Sequence, residues 1–211
     1  MSVHVVVING TGGSGKDTFV EQCMNLTLEN NGYFIKNISS VDKVKEAAMI
    51  VGWNGAKEEK DRKFLSDFKQ LVQEYNNNCF EYMKDQYDDL VRSANETNLE
   101  AILFLHIREI HEIRKAVEMF NAKTLLVYNN RVKQIVSNES DANVFRYDYD
   151  YIILNDSTIS ELEKKAEIFM ANIFHGTPID QTSDFEPSFL EEILNKPDKM
   201  VITKNNRPIV I

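Results

Sequence analysis

The feature that most constrains this 211-residue chain is a cluster of glycines close to its amino end. Residues 3–8 form an apolar run rich in valine, which favours a buried strand, and a helical pattern of apolar residues begins after Lys16. The stretch between them reads Gly10-Thr11-Gly12-Gly13-Ser14-Gly15-Lys16-Asp17-Thr18. Because glycine has no Cβ, it permits a tight turn whose N–H groups converge on one point. We therefore expect a strand, a tight loop and a helix in direct succession.

A loop of this kind is suited to binding phosphate groups. Its N–H groups face one centre, and the positive end of the following helix dipole adds a favourable potential for an anion. From Gly10 to Lys16 the spacing matches the phosphate-binding loop G-x-x-x-x-G-K-[S/T], in which the lysine bridges the terminal phosphates. A glycine-rich turn that binds nothing is the alternative, and the flanking strand and helix make it the weaker one.

The loop departs from that pattern after Lys16. Asp17 occupies the position where a hydroxyl normally binds Mg²⁺, and Thr18 follows one residue late. We expect Asp17 to hold the metal through a water molecule and the Thr18 hydroxyl to reach an inner phosphate. The residues expected to bind ATP are Gly10, Gly12, Gly13, Ser14, Gly15, Lys16, Asp17 and Thr18.

Composition and charge limit the class of partner. With 43% hydrophobic and 27% charged residues, the chain resembles an ordinary globular protein, and its length suits one α/β domain with a modest appendage. The formal net charge of -9 provides no positive field for nucleic acid or an anionic membrane, so we expect neither as a partner. A phosphate ligand must then be held by local cations.

The cysteine content indicates a reducing compartment. Cys23 and Cys79 are too few for a disulfide framework, and both lie on apolar faces of helical patterns, so we expect buried free thiols. No segment has the character of a membrane span or a secretory signal. The expected location is the cytoplasm.

Four further apolar runs alternate with helical patterns along the chain. They are residues 33–38, 101–105, 122–128 and 151–154. This alternation predicts a five-stranded parallel sheet with helices on both faces, which is a three-layer α/β fold. Ligands of such sheets bind at the carboxyl ends of the strands. The segments expected to meet along that rim are residues 10–18, 39–42, 106–109, 129–131 and 155–156.

A long helical region spans residues 57–95. We expect its apolar stripe to pack in the core. The stripe consists of Phe64, Phe68, Leu71, Val72, Tyr75, Cys79, Met83, Tyr87 and Leu90. Three asparagines at residues 76–78 interrupt it, and asparagine side chains compete with the helical backbone for hydrogen bonds, so a break into two helices is expected there. Upstream, Ser39 or Ser40 is expected to cap a shorter helix.

Two segments fall outside the regular alternation. Residues 129–149 are polar, carry Arg131, and are long for a plain connection, which is typical of a mobile lid over a site. We assign residues 1–175 to the main domain and residues 176–211 to a C-terminal extension. The extension ends in two short apolar runs that predict a β-hairpin. The hairpin is expected to pack on the sheet of its own subunit, with a homodimer contact as the alternative, so both monomer and homodimer stay open.

The remaining motifs narrow the reaction. The Asn-Lys-x-Asp motif with which GTPases read guanine follows none of the predicted strands, because its one match, Asn195-Lys196-Pro197-Asp198, lies in the C-terminal extension. The size of the chain argues against a motor or a transporter. A small phosphotransferase remains. Such an enzyme requires cations around two phosphate-bearing ligands and a lid that keeps water away from ATP.

Four short blocks resemble phage deoxynucleoside monophosphate kinases. They are Gly15-Lys16-Asp17, residues 57–69 with Asp61-Arg62, Arg108 beyond the polar end of a strand, and residues 148–156. The same blocks are similar to animal-type phosphomevalonate kinases, which share the nucleoside monophosphate kinase fold. The resemblance implies a P-loop NTPase fold and transfer of the γ-phosphoryl group of ATP, with Mg²⁺, to a phosphate on a small acceptor.

The resemblance also implies roles for the basic residues. Lys16 would neutralise the charge that moves between donor and acceptor. Arg62 and Arg108 would clamp the acceptor phosphate with paired hydrogen bonds, although a solvated position among lysines is the alternative for Arg62. Arg131 would close over the donor phosphates. The expected catalytic residues are thus Lys16, Arg108 and Arg131.

His106 departs from both families, which carry aspartate at that position. It is either a neutral hydrogen-bond partner of the acceptor, a poor substitute for a carboxylate beside Mg²⁺, or a sign that Asp17 or Glu109 organises the metal, and we favour Glu109. A histidine satisfied by a backbone carbonyl is a further alternative. Ser39 and Asp42 follow the second strand, where kinases of this fold bind the acceptor, and helix capping explains them equally well.

Three functions follow from this sequence. The favoured one is an ATP-dependent kinase of a nucleoside or deoxynucleoside monophosphate. The second is a kinase of a non-nucleotide phosphate, such as a phosphomevalonate-like acceptor. The third is a regulatory protein that binds ATP without turnover, because the hydroxyl after Lys16 is missing and His106 replaces a carboxylate.

Overall fold

The structure is a computed structural model that describes residues 2–30, 32–56, 58–76, 78–132, 144–176, 200–202 and 208–210. The strands are β1 (Val3–Asn9), β2 (Tyr33–Ser39), β3 (Glu100–His106), β4 (Lys123–Tyr128), β5 (Tyr151–Leu154), β6 (Met200–Ile202) and β7 (Pro208–Val210). The α-helices are α1 (Lys16–Asn30), α2 (Asp42–Ile50), α3 (Glu59–Asn76), α4 (Asn78–Thr97), α5 (Ile110–Phe120) and α6 (Ile159–His175). Among the helices so described, none combines the length and the apolar composition needed to cross a membrane.

Strands β1 to β5 form an all-parallel sheet in the order β2-β3-β1-β4-β5. This confirms the α/β architecture and the five parallel strands expected from the alternating pattern. β1 lies in the middle, with Val5 opposite Leu103 of β3 and Ile8 opposite Leu125 of β4. The glycine-rich loop therefore leaves the sheet at the centre of its carboxyl rim.

Helices cover both faces of the sheet and complete three layers. Alternate residues of a strand point to opposite faces. Val6 and Ile8 share an apolar cluster with α1 and α6, whereas Val5 and Val7 share another with α4 and α5. Because both faces are covered, the central strands are apolar along nearly their whole length, whereas the edge strand β2 is only partly buried.

Two short strands extend the sheet beyond β5. Met200 of β6 lies opposite Tyr151 in a parallel pairing, and β7 runs antiparallel to β6. The turn expected between them and residues 177–199 lie outside the described residues. The hairpin and the extension as one unit therefore stay predictions. Residues 133–143 of the expected lid also lie outside the described residues.

The expected break between two helices is present at the asparagines. α3 ends at Asn76 and α4 begins at Asn78, while Asn77 lies outside the described residues. The α4 half of the apolar stripe is buried as expected, including Met83 and Leu90. The two cysteines are also buried and free, as expected.

The α3 half of the stripe does not pack in the core, so that expectation is wrong. Phe64, Leu71 and Tyr75 are 39%, 63% and 87% exposed. The reason is position: the contacts of α3 are chiefly with α2 and α4 and not with the strands of the sheet. The periodicity correctly indicated an amphipathic helix, but it carries no information about what covers the apolar face.

The start of α2 also differs from the expectation. Its N-cap is Val41, not Ser39 or Ser40, and no side chain caps it. Instead, the Asp42 carboxylate accepts a hydrogen bond from the Ser39 N–H at 2.7 Å, and the Ser39 hydroxyl accepts from the Val41 N–H at 3.4 Å. A carboxylate in the first turn is favourable because it faces the positive end of the helix dipole.

A buried ion pair joins α3 to the helical layer beneath it. Lys69 Nζ of α3 lies 2.7 Å from Glu112 Oε2 of α5, and the two side chains are 15% and 2% exposed. Sequence periodicity did not indicate this contact, because 43 residues separate the partners. The pair holds α3 against the first turn of α5.

Replacing Lys69 should destabilise the fold strongly. Lys69→Met leaves the Glu112 charge buried without a partner, so we expect a loss of about 3 kcal/mol in the free energy of unfolding. The matched control is Lys63→Met on the same helix, where the partners Lys63 and Asp67 are 75% and 58% exposed. That change should cost about 0.5 kcal/mol or less. Urea denaturation measures both, and equal losses would contradict the role given to Lys69.

Candidate functional site

The glycine-rich loop turns back where a side chain has no room. Gly10 follows β1 with φ of 150°, and a Cβ there would fall on the carbonyl oxygen of Val127 in β4 and lie 2.6 Å from Ser14 Oγ. The turn is closed by the Ser14 N–H, which donates to the Thr11 carbonyl at 3.1 Å. Glycine is required at Gly10 for both its backbone angle and the space.

Gly15 makes a second close approach, to the end of β5. Its φ is 94°, and a Cβ there would fall on the Asn155 amide nitrogen. That nitrogen donates to the Ser14 carbonyl at 2.9 Å, and the Asn155 N–H donates to the Tyr128 carbonyl at 2.7 Å. Asn155 thus fixes the second half of the loop against β4 and β5, which confirms that these rim segments meet.

Lys16 begins α1 and folds back over the loop. Its ammonium donates to the carbonyls of Gly10 and Thr11 at 2.6 and 2.9 Å. The first turn of α1 follows at once, with the Phe19 N–H donating to the Gly15 carbonyl. The N–H groups that precede this bond lack partners within the helix, which is the general property of helix N-termini. Cation, turn and helix N-terminus are therefore concentrated in one place.

A buried hydrogen-bond network connects the loop to two other parts of the rim. The Asn9 side chain accepts from the Gly10 N–H at 2.8 Å and donates to Tyr149 Oη at 2.8 Å, and it also donates to the Arg108 carbonyl at 3.4 Å. Tyr149 in turn donates to the Val144 carbonyl at 2.8 Å. Both side chains are buried, and burial raises the pKa of Tyr149, so it stays a neutral donor.

Sequence reasoning missed this network. Asn9 follows the apolar run of residues 3–8, and an asparagine directly before Gly10 is itself a signal. A polar residue at the end of a buried strand needs hydrogen-bond partners, and its neighbours in such a position are loops. Tyr149 could not be matched to it from spacing, because 140 residues separate the two.

His106 lies at the carboxyl end of β3, beside the glycine-rich loop. Its Nε2 is 2.8 Å from Asn37 Oδ1, which can only accept, so Nε2 carries the proton and Nδ1 presents a lone pair. Nδ1 is 3.8 Å from the carboxylate of Asp17. Burial lowers the pKa of His106 to about 4, even though the Asp17 carboxylate opposes this shift. At neutral pH His106 is therefore an uncharged ring, and the partner of its Nε2 among the described residues is the Asn37 side chain.

The segments after β2 and β3 are also joined. The Ser40 N–H donates to the His106 carbonyl at 3.1 Å, which connects residues 39–42 to residues 106–109. Asp42 accepts from the Ser39 N–H and pairs with Lys45 at 3.2 Å, so its carboxylate contacts its own segment without capping α2. The roles of Ser39 and Asp42 as acceptor ligands stay predictions. Glu109 is the N-cap residue of α5 but makes no side-chain capping bond.

The remaining predicted residues have less defined places in the site. Arg131 is exposed in the turn after β4, where its N–H donates to Asn129 Oδ1 at 2.9 Å. A Cβ at Gly13 would touch Val132 at 3.8 Å, so this turn lies over the loop. Arg62 lies in the first turn of α3, and its role as an acceptor ligand stays a prediction. Arg108 is partly buried at the rim, and its role also stays a prediction.

No preformed metal centre is present in the part of the chain that the structure describes. That part contains no group of three or more histidine, cysteine or acidic side chains placed to hold an ion. What the loop offers is a pair, the Asp17 carboxylate, which is 95% exposed, and the neutral His106 ring. The preference for Glu109 as the metal ligand stays a prediction.

Comparisons with known proteins add no family assignment. Neither a protein-family model nor a curated protein matches this chain. The geometry of the loop and its neighbours is therefore the basis on which a function can be argued.

Substituting the loop glycine should cost more than its backbone angle alone. Gly15→Ala puts a Cβ at positive φ and onto Asn155, whereas Gly55→Ala has a similar φ of 84° and nothing within 4 Å. Gly55→Ala should lose about 1 kcal/mol of unfolding free energy, and Gly15→Ala about 2 kcal/mol more, because the Asn155 hydrogen bond must break. Thermal and urea unfolding measure both. Equal losses would contradict the described contact.

The lowered pKa of His106 predicts a pH dependence of stability. Between pH 6.5 and about 4 the unfolded chain binds a proton at this residue and the folded chain does not. The free energy of unfolding should therefore fall as the pH is lowered through that window, by up to about 3 kcal/mol. His106→Asn should remove this part of the dependence of unfolding free energy on pH. The control His111→Asn, at an exposed position, should leave that dependence unchanged. An unchanged slope in His106→Asn would contradict the burial argument.

Proposed function

We propose that the chain is a P-loop phosphotransferase that moves the γ-phosphoryl group of ATP to a phosphate on a small acceptor. The acceptor class that we favour is a nucleoside or deoxynucleoside monophosphate. One observation carries the proposal: the glycine turn is packed so tightly against β4 and β5 that side chains are excluded, and the Lys16 ammonium lies across it. Such an arrangement is suited to an anion of several negative charges.

The fit to a phosphate chain has a second support. Ser14 is fully buried, and its Oγ has no hydrogen-bond partner within the described residues. A buried hydroxyl without a partner costs free energy, so an unpaired donor in this loop is expected where a ligand completes the site. Gly13 is exposed, and among the described residues a Cβ there would meet only Val132, which leaves room for a phosphate beside this part of the loop.

The residues present also fit a magnesium ion held largely by its substrate. When bound, Mg²⁺ would neutralise part of the phosphate charge and hold the phosphate oxygens in place. Mg²⁺ prefers oxygen ligands and keeps several waters, so one exposed carboxylate such as Asp17 suffices as the protein contribution. Neutral His106 adds no charge that would compete with the ion.

The acceptor site is proposed at the joined segments after β2 and β3. There Arg108 would orient the acceptor phosphate. The Asn9 side chain holds the backbone of Arg108 in place by donating a hydrogen bond to its carbonyl. Arg131, in the turn over the loop, would approach the donor side. Holding two anions in one orientation is the main contribution of an enzyme to phosphoryl transfer, because the transition state needs alignment and charge stabilisation.

A second function is favoured by two specific positions. Asp17 replaces the loop hydroxyl and His106 replaces an acidic side chain, so the rim has fewer groups that organise a metal than the proposed reaction commonly uses. The chain would then be a protein that binds ATP without turnover and transmits the bound state to a partner. Phosphoryl transfer itself distinguishes the two functions.

Two substitutions test the proposed reaction. Lys16→Ala should lower the rate of phosphoryl transfer from ATP by about 100-fold or more. Arg108→Ala should raise the KM for the acceptor or lower kcat, with little change in the affinity for ATP. ADP release is measured with a panel of nucleoside monophosphates and with phosphomevalonate, and ATP affinity is measured by calorimetry. The matched control is Lys164→Ala, an exposed lysine on α6 that pairs with Glu161.

The outcomes separate the candidates. Transfer to a nucleoside monophosphate supports the first function, and transfer only to phosphomevalonate identifies a non-nucleotide acceptor. ATP binding without transfer to any acceptor supports the regulatory function. Absence of ATP binding by the wild-type chain, or full activity of Lys16→Ala, contradicts the P-loop assignment itself.

A further inference from the structure

A lysine is buried on the face of α6 that packs against the sheet. This residue, Lys165, is 1% exposed. Its neighbours at helical spacing, Leu162, Ala166 and Phe169, belong to the apolar cluster that α6 shares with β1. An ammonium group is almost never placed in such surroundings without partners, because removing its charge from water is costly. The contacts of this ammonium group therefore indicate why the chain carries a lysine here.

The Lys165 ammonium group holds the end of β5. Its Nζ donates to the Leu154 carbonyl at 2.5 Å and lies 3.6 Å from Asp156 Oδ1. That carboxylate oxygen is buried and has no hydrogen-bond partner among the described residues. Asp156 Oδ1 thus balances the charge of Lys165 without accepting a hydrogen bond from it. The hydrogen bond goes instead to the backbone, at the last residue of β5.

The Lys165 contact completes a clamp on one peptide group. The carbonyl of Leu154 and the N–H of Asn155 belong to the same planar unit and point in opposite directions. The N–H donates to the Tyr128 carbonyl of β4 at 2.7 Å, and the carbonyl accepts from Lys165 on α6. Because its two polar groups are held from opposite sides, this peptide plane cannot rotate without breaking a hydrogen bond.

Asn155 passes this restraint to the glycine-rich loop. Its side-chain amide donates to the Ser14 carbonyl at 2.9 Å and occupies the space where a Cβ of Gly15 would lie. Only a short side chain separates that amide from the clamped backbone. A phosphate-binding loop presents the N–H groups of this part of the turn to the anion. A change in the orientation of Asn155 therefore reaches the part of the loop that would contact a phosphate.

We propose that Lys165 is a positioning residue for the donor nucleotide. It fixes the peptide that follows Leu154, and Asn155 then fixes the loop at Ser14 and Gly15, so Lys165 acts without contact with the nucleotide. A loop held in its binding conformation before the ligand arrives avoids part of the cost of ordering it, which raises affinity. The inference rests on the proposed function for the nature of the ligand, whereas the effect of Lys165 on the loop does not.

The affinity for ATP tests the inference. The full chain is titrated by calorimetry with Mg²⁺ and a non-hydrolysable ATP analogue, and Lys165→Met should raise the dissociation constant about 10-fold or more. The matched control is Lys69→Met, which also separates a buried lysine from a carboxylate, but on α3. Although it destabilises the fold, it should leave the dissociation constant within about 2-fold of the wild type, because it lies apart from the loop.

Two results of this titration overturn the inference. One is a dissociation constant that Lys165→Met leaves unchanged. The other is an equal rise in Lys165→Met and Lys69→Met, which would show that lost stability, and not the loop, weakens binding.

A double-mutant cycle tests the route through Asn155. Asn155→Ala alone should raise the dissociation constant about as much as Lys165→Met does. In the Asn155→Ala chain, Lys165→Met should then add less than about 2-fold, because two residues that act through one contact are not additive. A further rise of about 10-fold in that chain overturns the route. An Asn155→Ala chain that binds the analogue as tightly as the wild type also overturns it.

A second variant covers the case in which Lys165→Met does not fold. That change leaves the Asp156 charge without its cation, whereas Lys165→Met combined with Asp156→Asn removes both charges. The double variant still lacks the hydrogen bond to the Leu154 carbonyl. It should therefore regain stability and keep the raised dissociation constant, and a dissociation constant restored to that of the wild type overturns the inference.

Spectra of the ligand-free chain separate this inference from the proposed function. In ¹H–¹⁵N spectra without nucleotide, Lys165→Met should shift the backbone amides of Ser14 and Gly15 and the side-chain amide of Asn155, and Lys69→Met should not. If the wild-type chain binds no ATP analogue, the proposed function fails, and these spectra decide whether Lys165 positions the loop. Loop resonances that Lys165→Met leaves unchanged overturn that role.

Discussion

The site depends on one steric constraint, the turn of the chain at Gly10. β1 ends between two parallel neighbours, and the carbonyl oxygen of Val127 occupies the place where a side chain would extend. The loop can reverse there only without a Cβ, and it then returns to begin α1 at Lys16. This turn at the centre of the sheet brings the loop, the helix N-terminus and the lysine together. The same turn leaves the segments after β3, β4 and β5 as immediate neighbours.

Hydrogen bonds around the loop turn these neighbours into one unit. Asn155 holds the second half of the loop to the end of β5, and Asn9 holds its first residue to Tyr149 and to the backbone of Arg108. Because buried polar groups are costly when unpaired, each of these contacts restricts the movement of the others. The proposed donor and acceptor segments are therefore fixed relative to each other before any ligand arrives. Such preorganisation is what phosphoryl transfer requires of a protein.

The sequence predicted the five parallel strands and the rim because both follow from local patterns. A strand buried on two faces is apolar throughout, and strand ends collect at one rim whatever the loops contain. The apolar face of α3 and the Asn9–Tyr149 bond were not predictable in the same way. Periodicity shows that a helix has an apolar face but not what covers it, and hydrogen bonds between residues 140 apart leave no spacing to detect. For His106 the sequence leaves open a neutral hydrogen-bond partner, a poor substitute for a metal-binding carboxylate, a metal organised by Asp17 or Glu109 instead, and a ring satisfied by a backbone carbonyl. The structure places a partly buried ring with Nε2 2.8 Å from Asn37 Oδ1.

The central claim, that the glycine-rich loop binds a polyphosphate, is tested most directly by the amide resonances of residues 10–18. A ¹H–¹⁵N spectrum is recorded while a non-hydrolysable ATP analogue with Mg²⁺ is added to the full chain. We expect the largest shifts on Gly12, Gly13, Gly15 and Lys16, because a phosphate-binding loop presents the N–H groups of these positions to the anion. A spectrum in which these amides do not move while the analogue is in excess, or in which the shifts fall on residues outside the rim, would contradict it.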